Sequence, residues 1–152
     1  SLAYSVDTVL TWSSWLTPVN LFFSALLAGP VIAVLTYACA GLELRRLSLA
    51  CTLLALVALV LGTVFLVIHE NSLAAITNYE FSAADLLPTY TTTIVVHVIS
   101  GGLGVALAFS SLRQRLSRNN RLLLLVCSCL CLLIAVFLPR VAFYALHMTA
   151  GF

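Results

Sequence analysis

The chain is short of charged residues. Only 8% of its 152 residues are charged, and all seven basic residues are arginine. Soluble globular domains carry about 25% charged residues, so this composition excludes an ordinary soluble domain. The chain is instead 62% hydrophobic, with a mean hydropathy of +1.15. We therefore predict a protein that resides in the lipid bilayer, and we expect no nucleic-acid partner.

The sequence also lacks the alternation of apolar and polar residues that is typical of a transmembrane barrel strand. Helices are the remaining way to cross a bilayer, because they pair every backbone group internally. A spanning helix needs about 20 apolar residues. We predict an all-α, multi-pass transmembrane four-helix bundle that forms one membrane domain over residues 1–152. The runs that meet the required length are 20–42, 47–69, 91–112 and 122–148.

The few charges are segregated along the chain. Six of the seven arginines fall in two gaps between apolar runs, at 43–46 and 113–121. Loops rich in arginine stay in the cytoplasm according to the positive-inside rule. The gap at 70–90 and the segment before the first run contain acidic residues but no basic residue. We therefore predict that 43–46 and 113–121 are cytoplasmic loops, that 70–90 is an external loop and that both termini lie outside.

The start of the chain has features of a membrane surface segment. Residues 1–18 contain tryptophan and tyrosine, which suit the headgroup layer, so we predict an external interfacial segment. Thr17 and Pro18 fit a helix cap followed by proline at the first helical position. The chain begins at Ser1 and has no recognisable signal peptide. An external amino terminus without a leader predicts that further helices precede this segment.

Proline and small residues inside the spans predict bends and close packing. Gly29-Pro30 predicts a kink in the first helix, because proline removes a backbone hydrogen bond. The third helix carries small residues at helical spacing, which predicts a face that another helix can approach closely. These residues are Ser100, Gly101, Gly102, Gly104 and Ala108.

The five cysteines all fall inside the predicted spans, and none lies in an external loop. A disulfide-forming enzyme linked to quinone would need external cysteines, so their location argues against a redox role. No spacing of histidine and cysteine typical of a metal site occurs. We interpret the cysteines as small apolar packing residues, and we expect neither a catalytic residue nor a metal site in this chain.

Arg140 is the only charged residue inside a predicted span. A charge at the bilayer centre costs roughly 2.5 to 3.5 kcal/mol on insertion scales, so Arg140 is a candidate functional residue. Tyr144 and His147 follow four and seven residues later on the same helix face. His97 lies about six residues into the third helix from the same side, and His69 ends the second. The three histidines therefore gather on the outer side.

Two interpretations of this outer group stay open. His97, Arg140, Tyr144 and His147 form a site for a quinol headgroup, where histidine or tyrosine bonds the quinol oxygens and arginine tunes their pKa. Alternatively, Arg140 extends to the outer interface, and the histidines satisfy backbone carbonyl groups.

Both ends of the chain carry motifs that resemble one known family. The motifs near the start resemble the beginning of the second half of the membrane-anchor subunit of bacterial dimethyl sulfoxide reductase, and those near the end resemble that family's closing helix. Between them the match is mostly one of hydropathy. The residues concerned are Tyr4–Val9, Thr11-Trp12, Thr17-Pro18 and Gly29-Pro30 at the start, and Arg140, Phe143-Tyr144, His147–Thr149 and Gly151 at the end.

The resemblance implies an eight-helix anchor in the bacterial inner membrane, of which this chain would be the last four helices. Such an anchor oxidises menaquinol and passes electrons to an iron-sulfur subunit and then to a molybdopterin catalytic subunit, in anaerobic respiration. This chain would bind no cofactor itself, and its partners would be those two subunits, menaquinol and membrane lipid. The family's quinol-binding histidine and glutamate belong to the first half and match nothing here. His97 departs from the family pattern.

The second cytoplasmic gap supplies candidates for docking the soluble subunits, namely Arg113, Arg115, Arg118 and Arg121. Two other classes of protein stay open. One is a cytochrome subunit that binds haem b between His69 and His97 as axial ligands. The other is a small four-helix transporter, which would need a carboxylate inside a span, whereas none of the five acidic residues lies in a predicted span.

Overall fold

The described part of the protein consists of four long helices. In the computed structural model these are α1 (Leu16–Cys39), α2 (Arg45–Leu73), α3 (Leu87–Ser111) and α4 (Arg118–Ala145). All four are long and apolar enough to cross a membrane. The part of the chain that is described contains no strand, which confirms the prediction of an all-α fold of four membrane-spanning helices. The structure describes residues 15–42, 44–73 and 87–145.

Several predicted segments lie outside these ranges. They are residues 1–14 of the interfacial segment, Glu43, positions 74–86 of the external loop and the last three residues of the fourth span.

The start of α1 differs from the predicted one. The helix begins at Leu16, so Thr17 is its second residue rather than its cap, and Trp15 at the cap position makes no side-chain capping bond. Pro18 fits inside the first turn because the first four N–H groups of a helix have no intrahelical acceptor. The span therefore starts four residues earlier than the apolar run at Asn20 predicts.

The end of α1 is set by Gly41, which has a φ of 78°. The Gly41 N–H donates to the Ala38 carbonyl at 3.1 Å, and the Leu42 N–H donates to the Tyr37 carbonyl at 3.0 Å. This pair of bonds is a Schellman motif, which closes a helix with a glycine in the left-handed conformation. The helix therefore ends at Cys39, three residues before the predicted limit.

The predicted cytoplasmic loops are partly helical. Arg45 and Arg118 are the first residues of α2 and α4. At the start of α4, the Ser117 hydroxyl accepts the Asn120 N–H at 3.3 Å, which caps the helix. Hydropathy marks only the part of a helix that lies in hydrocarbon, whereas arginine is a good helix former and continues the helix into the headgroup layer.

The second helix also continues beyond its predicted limit. It runs to Leu73, so His69 lies one turn inside the helix and Glu70 is helical rather than part of the external loop. Glu70 therefore lies in the last turn of α2, one residue beyond the predicted span.

The helices pack as a ring in chain order. The interface between α3 and α4 is the most extensive, followed by that between α1 and α2. The core side chains are fully buried, whereas large apolar side chains face outward, as contact with lipid tails requires. Core residues include Leu27, Val31, Ala55, Leu132 and Ala135, and outward-facing residues include Phe22, Ile99, Leu130 and Phe137.

Consecutive helices run in opposite directions, so the bundle has two distinct ends. We call the arginine end the one where α1 and α3 finish, at Cys39 and Ser111, and where α2 and α4 begin. We call the opposite end, which includes Leu16, His69 and Tyr90, the histidine end.

The small residues of α3 pack closely at two points. A methyl group added to Gly104 would lie 2.7 Å from Leu132 Cγ, and one added to Gly101 would lie 2.5 Å from Leu59 Cδ1. Nothing lies within 4 Å of the same position at Gly102. Gly101 contacts α2 and Gly104 contacts α4, so the predicted close approach involves two neighbouring helices.

Candidate functional site

The interior of the bundle contains polar side chains, although its outside is apolar. Most of the buried hydroxyl groups donate to backbone carbonyls, as serine and threonine in helices commonly do. Ser128, for example, donates to the Gly104 carbonyl at 2.6 Å and so links α4 to α3. The two buried histidines are the polar residues that need a different account. The buried polar residues are Thr17, Thr52, His69, His97, Ser111 and Ser128.

His97 bonds a carbonyl that a proline leaves without its helical donor. The Nδ1 atom of His97 lies 2.7 Å from the carbonyl oxygen of Ala135 on α4. In a regular helix this oxygen would accept the N–H of residue 139, but position 139 is Pro139, which has no N–H. Because a carbonyl oxygen only accepts, Nδ1 must carry the hydrogen, and Nε2 of the neutral ring is then an acceptor.

The Nε2 atom of His97 is buried and makes no hydrogen bond with the described residues. His97 lines a small cavity between α1 and α2, together with Asn20, Ser24 and Gly62. The cavity measures about 10 Å³, which is roughly the space of one water molecule. The Oδ1 atom of Asn20 is likewise buried without a hydrogen bond, so α1 and α3 each bring an acceptor atom to this region.

Arg140 reaches from α4 to α1. Its Nη2 atom donates to the hydroxyl of Ser24 at 3.4 Å, and the Ser24 hydroxyl donates to the Asn20 carbonyl at 2.7 Å. The Arg140 side chain is half-buried. It therefore contacts the polar residues of α1 rather than lying wholly on the lipid-facing surface.

The histidine end also contains His69, Glu70 and Tyr90. The His69 ring lies 5.9 Å from the Tyr90 ring, centroid to centroid, and both side chains are buried. Neither ring nitrogen of His69 makes a hydrogen bond with the described residues. Glu70 accepts a hydrogen bond from the Thr91 hydroxyl, which ties α2 to α3.

The structure brings two of the four predicted site residues to one region. Ser24 lines the cavity beside His97 and also accepts the bond from Arg140. Tyr144 lies in the last turn of α4, and His147 lies outside the described residues.

Sequence reasoning missed Asn20 and Ser24 of α1. Their spacing of four residues places both on one face of a helix. Asparagine is also unusual in a spanning segment, where an unpaired amide is costly. These two signals were present in the sequence.

Among the residues that the structure describes, no group of three or more metal-ligating side chains occurs. His69, the other histidine considered as a haem ligand, is not among the residues that line the cavity beside His97.

The arginine end holds a second polar region. A cavity of about 390 Å³ lies among the ends of all four helices, and we call it the arginine cavity. A more open depression of about 740 Å³, lined by Arg113 and Arg115, adjoins it at Arg45, Leu112 and Gln114. The residues that line the arginine cavity are Val34, Ala38, Gly41, Leu42, Leu44, Arg45, Ser48, Ser111, Leu112, Gln114, Arg118, Arg121, Leu122 and Leu125.

The four described helices are long and apolar enough to span a membrane, and their exterior is apolar. Two histidines are buried between them, and Arg140 of α4 reaches Ser24 of α1. These features define an α-helical, multi-pass membrane protein. The family model described as DMSO reductase anchor subunit (DmsC) matches residues 1–146. The chain belongs to this family, which confirms the resemblance found at its two ends.

Two relatives from Escherichia coli (strain K12) match nearly the whole sequence. The C chain of anaerobic dimethyl sulfoxide reductase is 32% identical over 147 residues, which are 97% of this protein and 50% of that relative. The anaerobic dimethyl sulfoxide reductase chain YnfH is 29% identical over 148 residues, which are 97% of this protein and 51% of that relative. The sequence thus spans about half the length of these relatives. No solved structure matches it.

Proposed function

We propose that this chain forms part of the membrane anchor of a dimethyl sulfoxide reductase-type molybdoenzyme in the bacterial inner membrane. The observation that carries the proposal is the match of the anchor-subunit family over residues 1–146, on a chain folded as four spanning helices. The soluble partners are an iron-sulfur subunit and a molybdopterin catalytic subunit. In this proposal the chain binds neither subunit's cofactors, and its role is to keep the two subunits at the membrane.

We further propose that the histidine end takes part in menaquinol oxidation. Each quinol that becomes a quinone loses two protons and two electrons, so the site needs atoms that accept hydrogen bonds from the quinol hydroxyls. The Nε2 atom of His97 and Oδ1 of Asn20 are buried acceptors in this region. The cation of Arg140 would stabilise negative charge on a deprotonated quinol oxygen. The electrons would leave to the iron-sulfur subunit.

The size of the cavity limits how the quinol approaches. A cavity of about 10 Å³ cannot hold a quinol ring. We propose that the headgroup enters from the lipid at the contact between α1 and α4, where Arg140 reaches Ser24. We include Tyr144 and His147 in this proposed approach because they follow Arg140 by four and seven residues in the sequence.

The test uses the whole complex, with the anchor coexpressed with its soluble subunits. Membranes are assayed for oxide reduction with a reduced menaquinol analogue and with an artificial donor that bypasses the anchor. We expect Arg140→Leu, His147→Ala and His97→Gln each to lower the quinol-dependent rate at least about tenfold, as loss of one stabilising contact of about 1.4 kcal/mol predicts. The artificial-donor rate should not change.

Ser100→Ala is the matched control, because the Ser100 hydroxyl bonds only its own helix, at the Val96 carbonyl. His97→Gln is chosen because glutamine retains an N–H donor for the Ala135 carbonyl but cannot take up a proton from the quinol as imidazole can. Unchanged quinol kinetics in the three variants would assign these residues a structural role and would contradict the quinol proposal.

Docking of the soluble subunits is proposed for the exposed arginines near the start of α4. Arg113, Arg115 and Arg118 are exposed, whereas Arg121 is half-buried. The two ends of the bundle are separated by about 36 Å, the length of the 24 residues of α1 at 1.5 Å each. The two proposals are therefore alternatives for direct electron transfer in this chain, because electrons from a quinol at the histidine end would have to cross this distance through a protein for which no cofactor is proposed.

Arg113→Glu combined with Arg115→Glu tests docking separately from quinol oxidation. We expect the soluble subunits to leave the membrane fraction, because two reversed charges repel the acidic surface that matches them. Arg140→Leu, at the opposite end, should leave them membrane-bound. If the double variant also retains them, docking occurs elsewhere, and the proposal for this face is wrong.

A further inference from the structure

The arginine cavity combines a half-enclosed shape with charge of one sign. Arg45, Arg118 and Arg121 line it, and none of the residues that line it is acidic. Arg118 is already oriented, because its Nη2 atom donates to the Cys39 carbonyl at 3.3 Å. Glu43, the acidic residue nearest in sequence, lies outside the described residues. The lining described thus carries three positive charges and no negative one.

The positions of these arginines in their helices add to the positive potential. Arg45 begins α2, and Arg118 and Arg121 lie in the first turn of α4. The first turn of a helix already bears positive partial charge, so a cation there is disfavoured and an anion is favoured. Neither first turn contains an acidic residue. An anion at this place would interact with the arginines and with two helix N-termini together.

The lining of the arginine cavity also includes an apolar part on the side toward the middle of the bundle. This part consists of Val34 and Ala38 of α1 with Leu122 and Leu125 of α4. A small soluble anion would gain nothing from this wall, whereas the glycerol and upper acyl region of a lipid would bury apolar surface against it. The volume of about 390 Å³ is also in the range of sites for a small organic ligand.

We propose that the arginine cavity binds the phosphate headgroup of an anionic phospholipid, with the arginines on the phosphate and the acyl chains leaving along α1 and α4. Arginine binds phosphate oxygens through paired N–H groups, and basic pockets between spanning helices suit anionic headgroups. Ser48 and Ser111 contribute little, because their hydroxyls donate to the Leu44 and Ala108 carbonyls. The site does not depend on the proposed quinol chemistry at the other end.

The neighbouring arginines of α2 provide a matched pair for the test. Arg45 lines the cavity, whereas Arg46 lines neither this cavity nor the adjoining depression. Arg45→Gln and Arg46→Gln therefore remove the same charge one residue apart. The full chain is purified in a phosphatidylcholine-containing detergent, and binding of added phosphatidylglycerol is followed by native mass spectrometry and by the shift in thermal midpoint. Inorganic phosphate is added in a separate arm.

We expect phosphatidylglycerol to bind and to raise the thermal midpoint of the wild type and of Arg46→Gln. Arg45→Gln should weaken phosphatidylglycerol binding about tenfold or more, as loss of a charged hydrogen bond predicts. The double variant Arg45→Gln with Arg121→Gln should weaken it further. Thermal midpoints in phosphatidylcholine alone check that each variant folds. Equal losses in Arg45→Gln and Arg46→Gln would mean general surface attraction and would overturn the proposal. Absence of binding, or equal stabilisation by inorganic phosphate, would overturn the lipid assignment.

Discussion

At the scale of single residues, the bond between His97 and the Ala135 carbonyl connects two features that are 38 residues apart in sequence. Pro139 removes the donor that this carbonyl would have in a regular helix, and His97 supplies another from α3. An unpaired carbonyl inside a membrane protein is costly because no water replaces the lost donor. The histidine therefore stabilises α4 where the proline weakens it.

A double-mutant cycle tests this coupling. His97→Leu should lower the free energy of unfolding by about 1 kcal/mol, because hydrogen bonds between membrane helices contribute about 0.6 kcal/mol on average and about 1.7 kcal/mol at most. Pro139→Ala restores an N–H to position 139, so the same histidine substitution should cost much less in the Pro139→Ala background. Unfolding of the purified chain in a denaturing detergent provides the measurement. Additive effects of the two substitutions would show that the groups are not coupled.

At the scale of the elements, glycines decide how closely the helices approach. Gly104 brings α3 against Leu132 and the Ser128 carbonyl oxygen of α4, where an added methyl group would lie 2.7 Å and 3.1 Å away. The bond from the Ser128 hydroxyl to the Gly104 carbonyl forms at the same point. The most extensive interface of the bundle therefore contains a close contact at a residue without a side chain.

Two nearby glycine positions allow a controlled test of this packing. Gly104→Ala should destabilise the bundle by about 1 to 3 kcal/mol, the usual cost of overpacking, because the backbone oxygen of Ser128 cannot move aside as a flexible side chain can. Gly102→Ala meets open space and should be neutral or stabilising by up to about 1 kcal/mol, owing to the better helix propensity of alanine. Thermal midpoints in detergent compare the two. A similar loss in both variants would contradict the packing argument.

At the scale of the whole molecule, the bundle has an apolar outside and two polar ends of different character. The histidine end contains buried histidines, Arg140 and Glu70, whereas the arginine end carries the remaining arginines, three of which line a cavity. Lipid tails solvate the outer face, so polar groups are stable only in the interior or in the headgroup layers. The two ends can therefore have separate roles, which is the basis of the separate proposals for quinol and for lipid.

Membrane orientation can be tested with a cysteine that the protein already has. Cys39 is exposed at the arginine end, whereas the other four cysteines are buried or half-buried within the spanning helices. Because the positive-inside rule predicts a cytoplasmic arginine end, a membrane-impermeant maleimide should label inside-out vesicles but not intact cells. Cys39→Ser should remove the label. Labelling of intact cells but not of inside-out vesicles would show that the orientation is opposite to the predicted one.

The sequence by itself determined the class of fold and the number of helices. Hydropathy depends on composition over about 20 residues, so it predicts which segments lie in lipid without knowledge of their neighbours. The motifs around Thr17-Pro18 and Arg140 were also sufficient to indicate the family, which the family comparison confirms. Helix ends were less well predicted, because they depend on local bonds such as the turn at Gly41 and the cap at Ser117.

Only the tertiary structure decided which polar groups meet. Sequence spacing places Arg140 and Tyr144 on one face of a helix, but it does not show that Arg140 reaches Ser24 or that His97 lies opposite the carbonyl freed by Pro139. Those contacts join residues 116 and 38 positions apart, and they depend on the rotation and depth of each helix in the bundle. Rotation and depth follow from packing at positions such as Gly104, which hydropathy alone does not describe.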